Sequence, residues 1–361
     1  MSTQVPSALL DLLGIDVPIV QAPMAGVSSP AMAAAVSTSG GLGSLGVGAM
    51  NASKAREAIH EFRRLSGGPL NVNVFVHRPA HADKQKASAW LARLQPEFDR
   101  WNAKAPQELH EIYTSFLVDN DMLAMLVEEK PRAVSFHFGV PHPHQIQALH
   151  DAGIVLLASA TNQDEAKLIE AAGIDAVVAQ GYEAGGHRGV FDPDIEDSQL
   201  GTFALTRLLV RAVNLPIIAA GGIMDGAGIA SALSLGAQAA QLGTAFVATD
   251  ESLADAGYRE RLFSAAAHHT TMTRVISGRP ARSLANDFTQ WGSAVPNEAI
   301  PDYPIAYDVG KALHAAGKAA DQSGYGAQWA GQGAPLARAL SSAALMQALK
   351  EELVQAERSV C

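Results

Sequence analysis

Eight short apolar runs, separated by helix-compatible stretches, predict an α/β fold of the (β/α)8 TIM-barrel type, and the glycines that close the last two runs point the same way. Ile217-Ile218-Ala219-Ala220-Gly221-Gly222-Ile223 and Ala240-Gln241-Leu242-Gly243-Thr244-Ala245-Phe246 both reach glycine where a loop or helix should begin, so bare backbone N–H groups can converge there on an anion. In such barrels the loops after strands seven and eight commonly hold a phosphate. A doubly wound open sheet produces the same alternation; the count of eight and the paired glycine ends favour the barrel.

The predicted strands are 19–24, 42–47, 71–76, 133–139, 155–160, 176–181, 216–222 and 239–246. Alanine-rich amphipathic stretches between them, such as 53–65, 163–172 and 200–213, suit the outer helices of a barrel. Residues 77–132 are too long for one helix and carry Trp90 and Trp101, which predicts a helical insertion of two or three helices after strand three. From 251 to 361 no further strand pattern is evident. A proline-rich passage, 296–304, precedes helical stretches at 305–320 and 335–357, so this part is expected to be a smaller, mainly helical C-terminal domain that caps the barrel of residues 1–250.

With 361 residues, 48% hydrophobic and 17% charged, the chain can bury a barrel core and a second small domain. Its formal charge of −10 is spread rather than blocked, which argues against nucleic-acid or anionic-membrane binding. The first twenty residues hold Asp11 and Asp16 but no lysine or arginine, and no apolar run reaches membrane-spanning length. A soluble, cytoplasmic protein is expected, as a monomer or homodimer. The single cysteine, Cys361, excludes intrachain disulfides, cysteine-based zinc sites and a mid-chain cysteine nucleophile.

Gly41-Leu42-Gly43-Ser44-Leu45-Gly46 matches a dinucleotide-binding pattern only in letters, because a helix-like stretch precedes it and the glycines themselves form strand two. The stretch 179–189, Ala-Gln-Gly-Tyr-Glu-Ala-Gly-Gly-His-Arg-Gly, is more specific. It places His187 after two glycines at the C-terminal end of strand six, the catalytic face of a barrel, where an imidazole can act as base or hydrogen-bond donor. His137 closes strand four and is a candidate for the pocket wall. His142 and His144 follow it, but Pro141 and Pro143 separate their directions and no carboxylate is near, so no metal site is expected.

Gln21-Ala22-Pro23-Met24-Ala25-Gly26, Asn71-Val72-Asn73, the glycine-rich His187 loop, Ala219-Ala220-Gly221-Gly222-Ile223 and Gln241-Leu242-Gly243-Thr244-Ala245-Phe246 together closely resemble the nitronate monooxygenase family. The likeness spans nearly the whole chain in order, and Tyr303, Tyr307 and Lys311 resemble its class I members. The resemblance implies an FMN-containing barrel that oxidises alkyl nitronates, such as propionate 3-nitronate, with O2 to a carbonyl product and nitrite, by one-electron transfer to flavin. It implies that Ala22, Pro23 and Met24 back the flavin ring and that Asn73 and Gln180 bond its polar edge. Gly185, Gly222, Gln241, Leu242, Gly243 and Thr244 would hold its phosphate, and His187 would be catalytic. His137, Tyr303, Tyr307 and Lys311 would contact substrate; the spacing of the last three suggests one face of a helix.

Two other functions fit a barrel of this kind. One is an NAD(P)H-dependent flavin quinone or enoyl-thioester reductase, which fold alone does not separate from the first reading. The other is a non-catalytic ligand-binding barrel, disfavoured because His187 and several polar strand ends converge on one face.

Overall fold

The computed structural model describes residues 8–360; Cys361 lies outside the described residues. Eight parallel strands are present: β1 (Ile19–Gln21), β2 (Gly43–Gly46), β3 (Leu70–Phe75), β4 (Ala133–His137), β5 (Val155–Ala160), β6 (Ala176–Gln180), β7 (Ile217–Ala220) and β8 (Ala239–Leu242). Each pairs with its sequence neighbours, β8 also pairs with β1, and a parallel bridge between Val20 and Leu42 joins β1 to β2. Reciprocal bonds of 3.0 Å, Leu42 N–H to Ile19 O and Gln21 N–H to Leu42 O, close the ring. The open-sheet alternative is thereby excluded.

Side-chain alternation divides the barrel interior into an apolar floor and a polar upper layer. The helix Ala8–Leu13 plugs the floor, burying Leu9 and Leu13 against Val20, Leu42, Leu157, Val178 and Ile218. Each such side chain contributes roughly 1.5–3 kcal/mol of transfer free energy. Above them Gln21, Ser44 and Asn71 are buried but bonded: Ser44 N–H donates to Gln21 Oε1 at 2.8 Å, and Asn71 Nδ2 to Ser44 Oγ at 3.1 Å. A buried amide is tolerated only when so partnered.

The outer helices follow their amphipathic pattern. Ala52–Leu65 turns Ala55, Ile59 and Phe62 inward, and Thr202–Ala212 turns Leu205 and Leu209 inward. Side-chain caps start several of them, Asn51 accepting from Lys54 N–H and Asn162 from Glu165 N–H. Of the helices expected in 77–132, only Lys84–Asp99 is additional to the barrel. Asn120–Glu129 is the barrel's own helix after β3, packed between its ring neighbours Ala52–Leu65 and Pro143–Asp151.

The tail departs from the strand-free expectation. Two antiparallel strands, β9 (Thr270–Thr273) and β10 (Ala281–Leu284), form a hairpin, and β10 pairs in turn with a two-residue strand, Gly186–His187, from the loop after β6. Thr-Thr-Met-Thr and Ala-Arg-Ser-Leu show no clear alternation of apolar and polar residues: the first strand is half-buried throughout, and in the second the polar Arg282 and Ser283 are buried and bonded to Tyr182 O and Gln328 O. The helix Ile305–Ala319 packs on the inserted helix through Val309 and Leu313 against Trp90, Leu94 and Phe98. The last helix, Ser342–Val360, returns to the barrel and lies against Gly226–Ser234 and Pro30–Thr38.

The glycines of Gly41 to Gly46 have a packing reason. A Cβ on Gly43 would stand 2.0 Å from Ala33 O and one on Gly46 2.7 Å from Ala25 N, both backbone atoms that cannot move aside. Gly43→Ala should therefore destabilise the protein by about 1–3 kcal/mol or more, read as a lowered urea midpoint at unchanged slope. A midpoint equal to that of the unaltered protein would show that β2 does not need this close approach.

Candidate active site

The strands shorten relative to prediction because their last residues leave the ladder and turn over the barrel mouth. There, with the capping segments, they enclose a cavity of about 300 Å³, the lower end of the range of small-molecule sites. Ala22, Pro23 and Met24 after β1, Asn73 on β3, His137 on β4 and Gln180 on β6 line it, as do Gly185, His187, Gly222, Gln241, Gly243 and Thr244. Tyr303, Tyr307 and Lys311 reach it from the cap. Leu242 does not: alternation along β8 sends Gln241 to the cavity and Leu242 outward, fully buried beside Ile19, Met32 and Phe246.

Tyr303 is not part of a helical face. The helix begins at Ile305, and a residue preceding proline is biased away from helical backbone, so Tyr303 approaches from the turn before Pro304. Tyr307 and Lys311, one turn apart, do share a face. Lys311 Nζ lies 5.7 Å from the Tyr307 ring centre and 5.0 Å from that of Tyr113, a residue of the insertion that carries no sequence signal of its own. Lys311 makes no ion pair among the described residues, and partial burial holds its pKa below the usual lysine value.

The carbonyl of His187 is held from two sides, by His137 Nε2 and by Gln180 Nε2, each at 3.0 Å. Because a carbonyl only accepts, His137 carries its proton on Nε2, and its Nδ1 accepts from Ser159 Oγ at 3.0 Å. Gln180 Oε1 accepts from Gly189 N–H at 2.7 Å. Both ends of the Gln180 amide are thus committed to the His187 loop. Asn73 Nδ2 similarly donates to the oxygens of Ser135.

The His187 ring sits among Phe138, Tyr303, Tyr307 and Trp329, with centroid separations of 5.1 to 6.1 Å, and its Nε2 meets Ser277 Oγ at 2.8 Å. Burial, with His137 and the Arg279 cation nearby, pushes its pKa down to about 3. His137 and the deeper His77 fall to about 4, chiefly through burial. All three are neutral at physiological pH. Among the described residues no cluster of histidine, cysteine, aspartate or glutamate could hold a metal ion.

Glycine geometry shapes the opposite wall. Gly221 and Gly222 have φ of +118° and +71°, backbone that side chains resist. A Cβ on Gly185 would stand 2.4 Å from Gly331 N, in the capping segment. Gly331 N–H donates to Thr244 Oγ1 at 3.0 Å, joining the cap to the short helix that follows β8. Sequence reasoning passed over Tyr113, Ser277, Trp329 and Gly331; of these only the Gly331-Gln332-Gly333 spacing, a further close-approach signal, was there to be read.

Comparison with known proteins bears on the family and the fold. The family model described as nitronate monooxygenase matches residues 6–352. A nitronate monooxygenase of Paraburkholderia phytofirmans is 62% identical over 348 residues, covering 96% of this chain and 95% of its own. That of Pseudomonas aeruginosa is 54% identical, covering 95% and 97%. Among solved structures, nitroalkane oxidase from Streptomyces ansochromogenes superposes with a TM-score of 0.89 at 39% identity, covering 98% of this chain and all of its own. FabK from Thermotoga maritima gives 0.75 at 29%, covering 99% of each.

The buried histidines make the fold sensitive to acid. His77 is buried, its ring nitrogens having only a loose contact with the Tyr113 backbone. Its folded pKa lies below the unfolded value of about 6.5, so below that pH the unfolded chain binds the proton and stability falls as pH drops toward 4. Urea unfolding of the native protein at pH 7 and pH 5 should show this loss. His77→Phe should make the loss smaller by on the order of 1–2 kcal/mol, and an identical loss would contradict a neutral buried His77.

Proposed function

Because this chain belongs to the nitronate monooxygenase family, we propose that it oxidises alkyl nitronates with O2 to a carbonyl product and nitrite in this cavity, with FMN as cofactor. The observation that carries the reading is the convergence, on one cavity, of glycine-ended β7 and β8, the neutral His187 and the cationic Lys311.

The residues present fit a flavin mononucleotide. The amides of Gly222 and Ile223 meet no backbone carbonyl among the described residues, and a Cβ at Gly222 would close to 3.2 Å of Glu183 Cβ. Gly222, Gly243 and Thr244 would hold the phosphate, while Ala22, Pro23 and Met24 offer small, flat backing for the ring. Asn73 would bond the ring edge through its carbonyl oxygen. Gln180 instead contributes by holding the loop that carries His187. A bound flavin supplies the electron-accepting chemistry that the side chains lack.

A nitronate is already deprotonated, so His187 need only orient its nitro oxygens. With a neutral nitroalkane the same imidazole, uncharged at neutral pH, accepts the α-proton. Tyr303, Tyr307 and Trp329 keep water from that point. Lys311, at the mouth, attracts an anion and suits a carboxylate on the substrate tail.

Oxygen uptake and nitrite release with a panel of nitronates test the activity, and chromatography of the flavin released on denaturation tests the cofactor. Turnover above the free-flavin rate and recovery of FMN are expected. Recovered FAD overturns the cofactor, and rapid bleaching by NADH or NADPH without nitronate turnover favours the reductase.

Lys311→Met should raise KM for propionate 3-nitronate by about five- to tenfold, less than a buried charge-assisted bond would give because the amine is partly in solvent. The KM for ethylnitronate should change less. Equal changes for the two substrates would remove Lys311 from carboxylate recognition.

A further inference from the structure

We propose that Arg279 is a fixed charge that makes this cavity prefer anionic ligands: its guanidinium lies buried on the face of Phe138, without a carboxylate partner among the described residues, behind the wall formed by His187 and Tyr303. The inference rests on reading the cavity as a nitronate site only in its choice of probe.

Arg279 is 5% exposed, and its guanidinium carbon stands 4.3 Å from the centre of the Phe138 ring. Phe138 in turn touches His137, His187 and Tyr303, at centroid separations of 4.6, 5.6 and 5.5 Å. The cation is therefore within about 10 Å of the His187 ring. Its Nη2 donates to the carbonyl of Val190 and, at 3.5 Å, to that of Phe191, whereas its Nε is buried without a partner. The acidic groups on that side, Asp192 and Asp194, pair with Arg78 and Arg274 and act on Arg279 only from a distance. Of the other two buried guanidinium groups, Arg188 is neutralised by Asp197 at 2.8 Å, and Arg282 donates to Tyr182 O and Thr270 Oγ1 with the Glu183 carboxylate nearby. Burial lowers the pKa of Arg279 only to about 10, which leaves it charged at neutral pH.

A buried cation held by carbonyl dipoles alone is costly, and folded proteins normally pair such a charge. Here the unbalanced charge faces a cavity whose histidines are neutral, so its potential is not cancelled by a residue of the wall. At about 10 Å and an effective dielectric of about 20 a unit charge changes an anion's binding constant by roughly tenfold. Arg279 does not line the cavity; it acts through Phe138 and His187 as a positioning and electrostatic residue. The backbone reinforces the arrangement, Ser277 Oγ lying 3.4 Å from Arg279 O while it meets His187 Nε2.

Nitrate, a planar and non-reacting anion, is the probe, and calorimetric titration of the purified holoenzyme gives its Kd without turnover. The native protein should bind nitrate. Arg279→Gln, which removes the charge but keeps a donor, should weaken it about tenfold, and Arg279→Lys, which keeps the charge, should stay within about threefold of the native value. Arg279→Met provides a second neutral variant if the glutamine variant does not fold. No nitrate binding by the native protein, a Kd unchanged in the neutral variants, or equal losses in the lysine and neutral variants would each overturn the proposal. Nitronate turnover is measured separately: its absence beside a charge-dependent nitrate Kd would remove the proposed function and leave the anion preference standing.

Discussion

The backbone around His187 is the constraint on which the rest of the site depends. Gly186 and His187 run antiparallel to β10 in the register Gly186 with Arg282 and His187 with Ala281, and Gly185 packs directly on the backbone of Gly331. Arg282 secures the same loop by donating through Nη2 to Tyr182 O at 2.8 Å, and Arg188 donates to Gln180 O. Barrel and cap therefore meet backbone to backbone. Any side chain at Gly185 would push them apart, and with them the His187 carbonyl on which the hydrogen bonds of His137 and Gln180 converge.

That clamp also explains the electrostatics. Closing the cap over the barrel mouth removes water from His77, His137 and His187, which keeps all three imidazoles neutral. Positive charges remain at the edges of the cavity, among them Lys311 at its mouth and Arg279 behind its wall. Several unmet polar atoms collect in the same place: both ring nitrogens of His77, the hydroxyl of Tyr303 and Nε of Arg279. Each unsatisfied group costs about 1–3 kcal/mol, and local rules of this kind are broken chiefly at functional sites.

Elsewhere such atoms are scattered singly, as at Trp90 Nε1, Thr206 Oγ1 and Gln238 Oε1. The barrel floor is apolar, the polar layer above it is joined by hydrogen bonds among Gln21, Ser44 and Asn71, and several helices carry capping side chains. A rigid frame of this sort lets a few loop residues be held in otherwise unfavourable positions. The last helix adds to the frame by returning from the cap to lie against the barrel, so the capping segment is anchored at both ends.

The barrel was legible because its information is local. Strands buried on both faces read as apolar runs, outer helices as amphipathic ones, and the glycine ends of β7 and β8 as close backbone approach. The glycines before His187 marked that residue without any partner being known. What the sequence could not convey was everything decided between distant segments. The hairpin that clamps His187 has no strand pattern because its first strand is half-buried throughout and its second buries Arg282 and Ser283 against carbonyls of distant segments. Tyr113 lies in an irregular segment whose place is set by the cap helix. Tyr303 fell outside its expected helix through the local effect of Pro304. Leu242 belonged to the right motif but faced the wrong way, since a strand's alternation is read from sequence only once its register is known. Composition, periodicity and motif thus determined the barrel and most of the residues at its mouth. Only tertiary contact decided which of them are neutral and which charges are left without an ion pair, because desolvation and pairing are properties of neighbours brought together by folding.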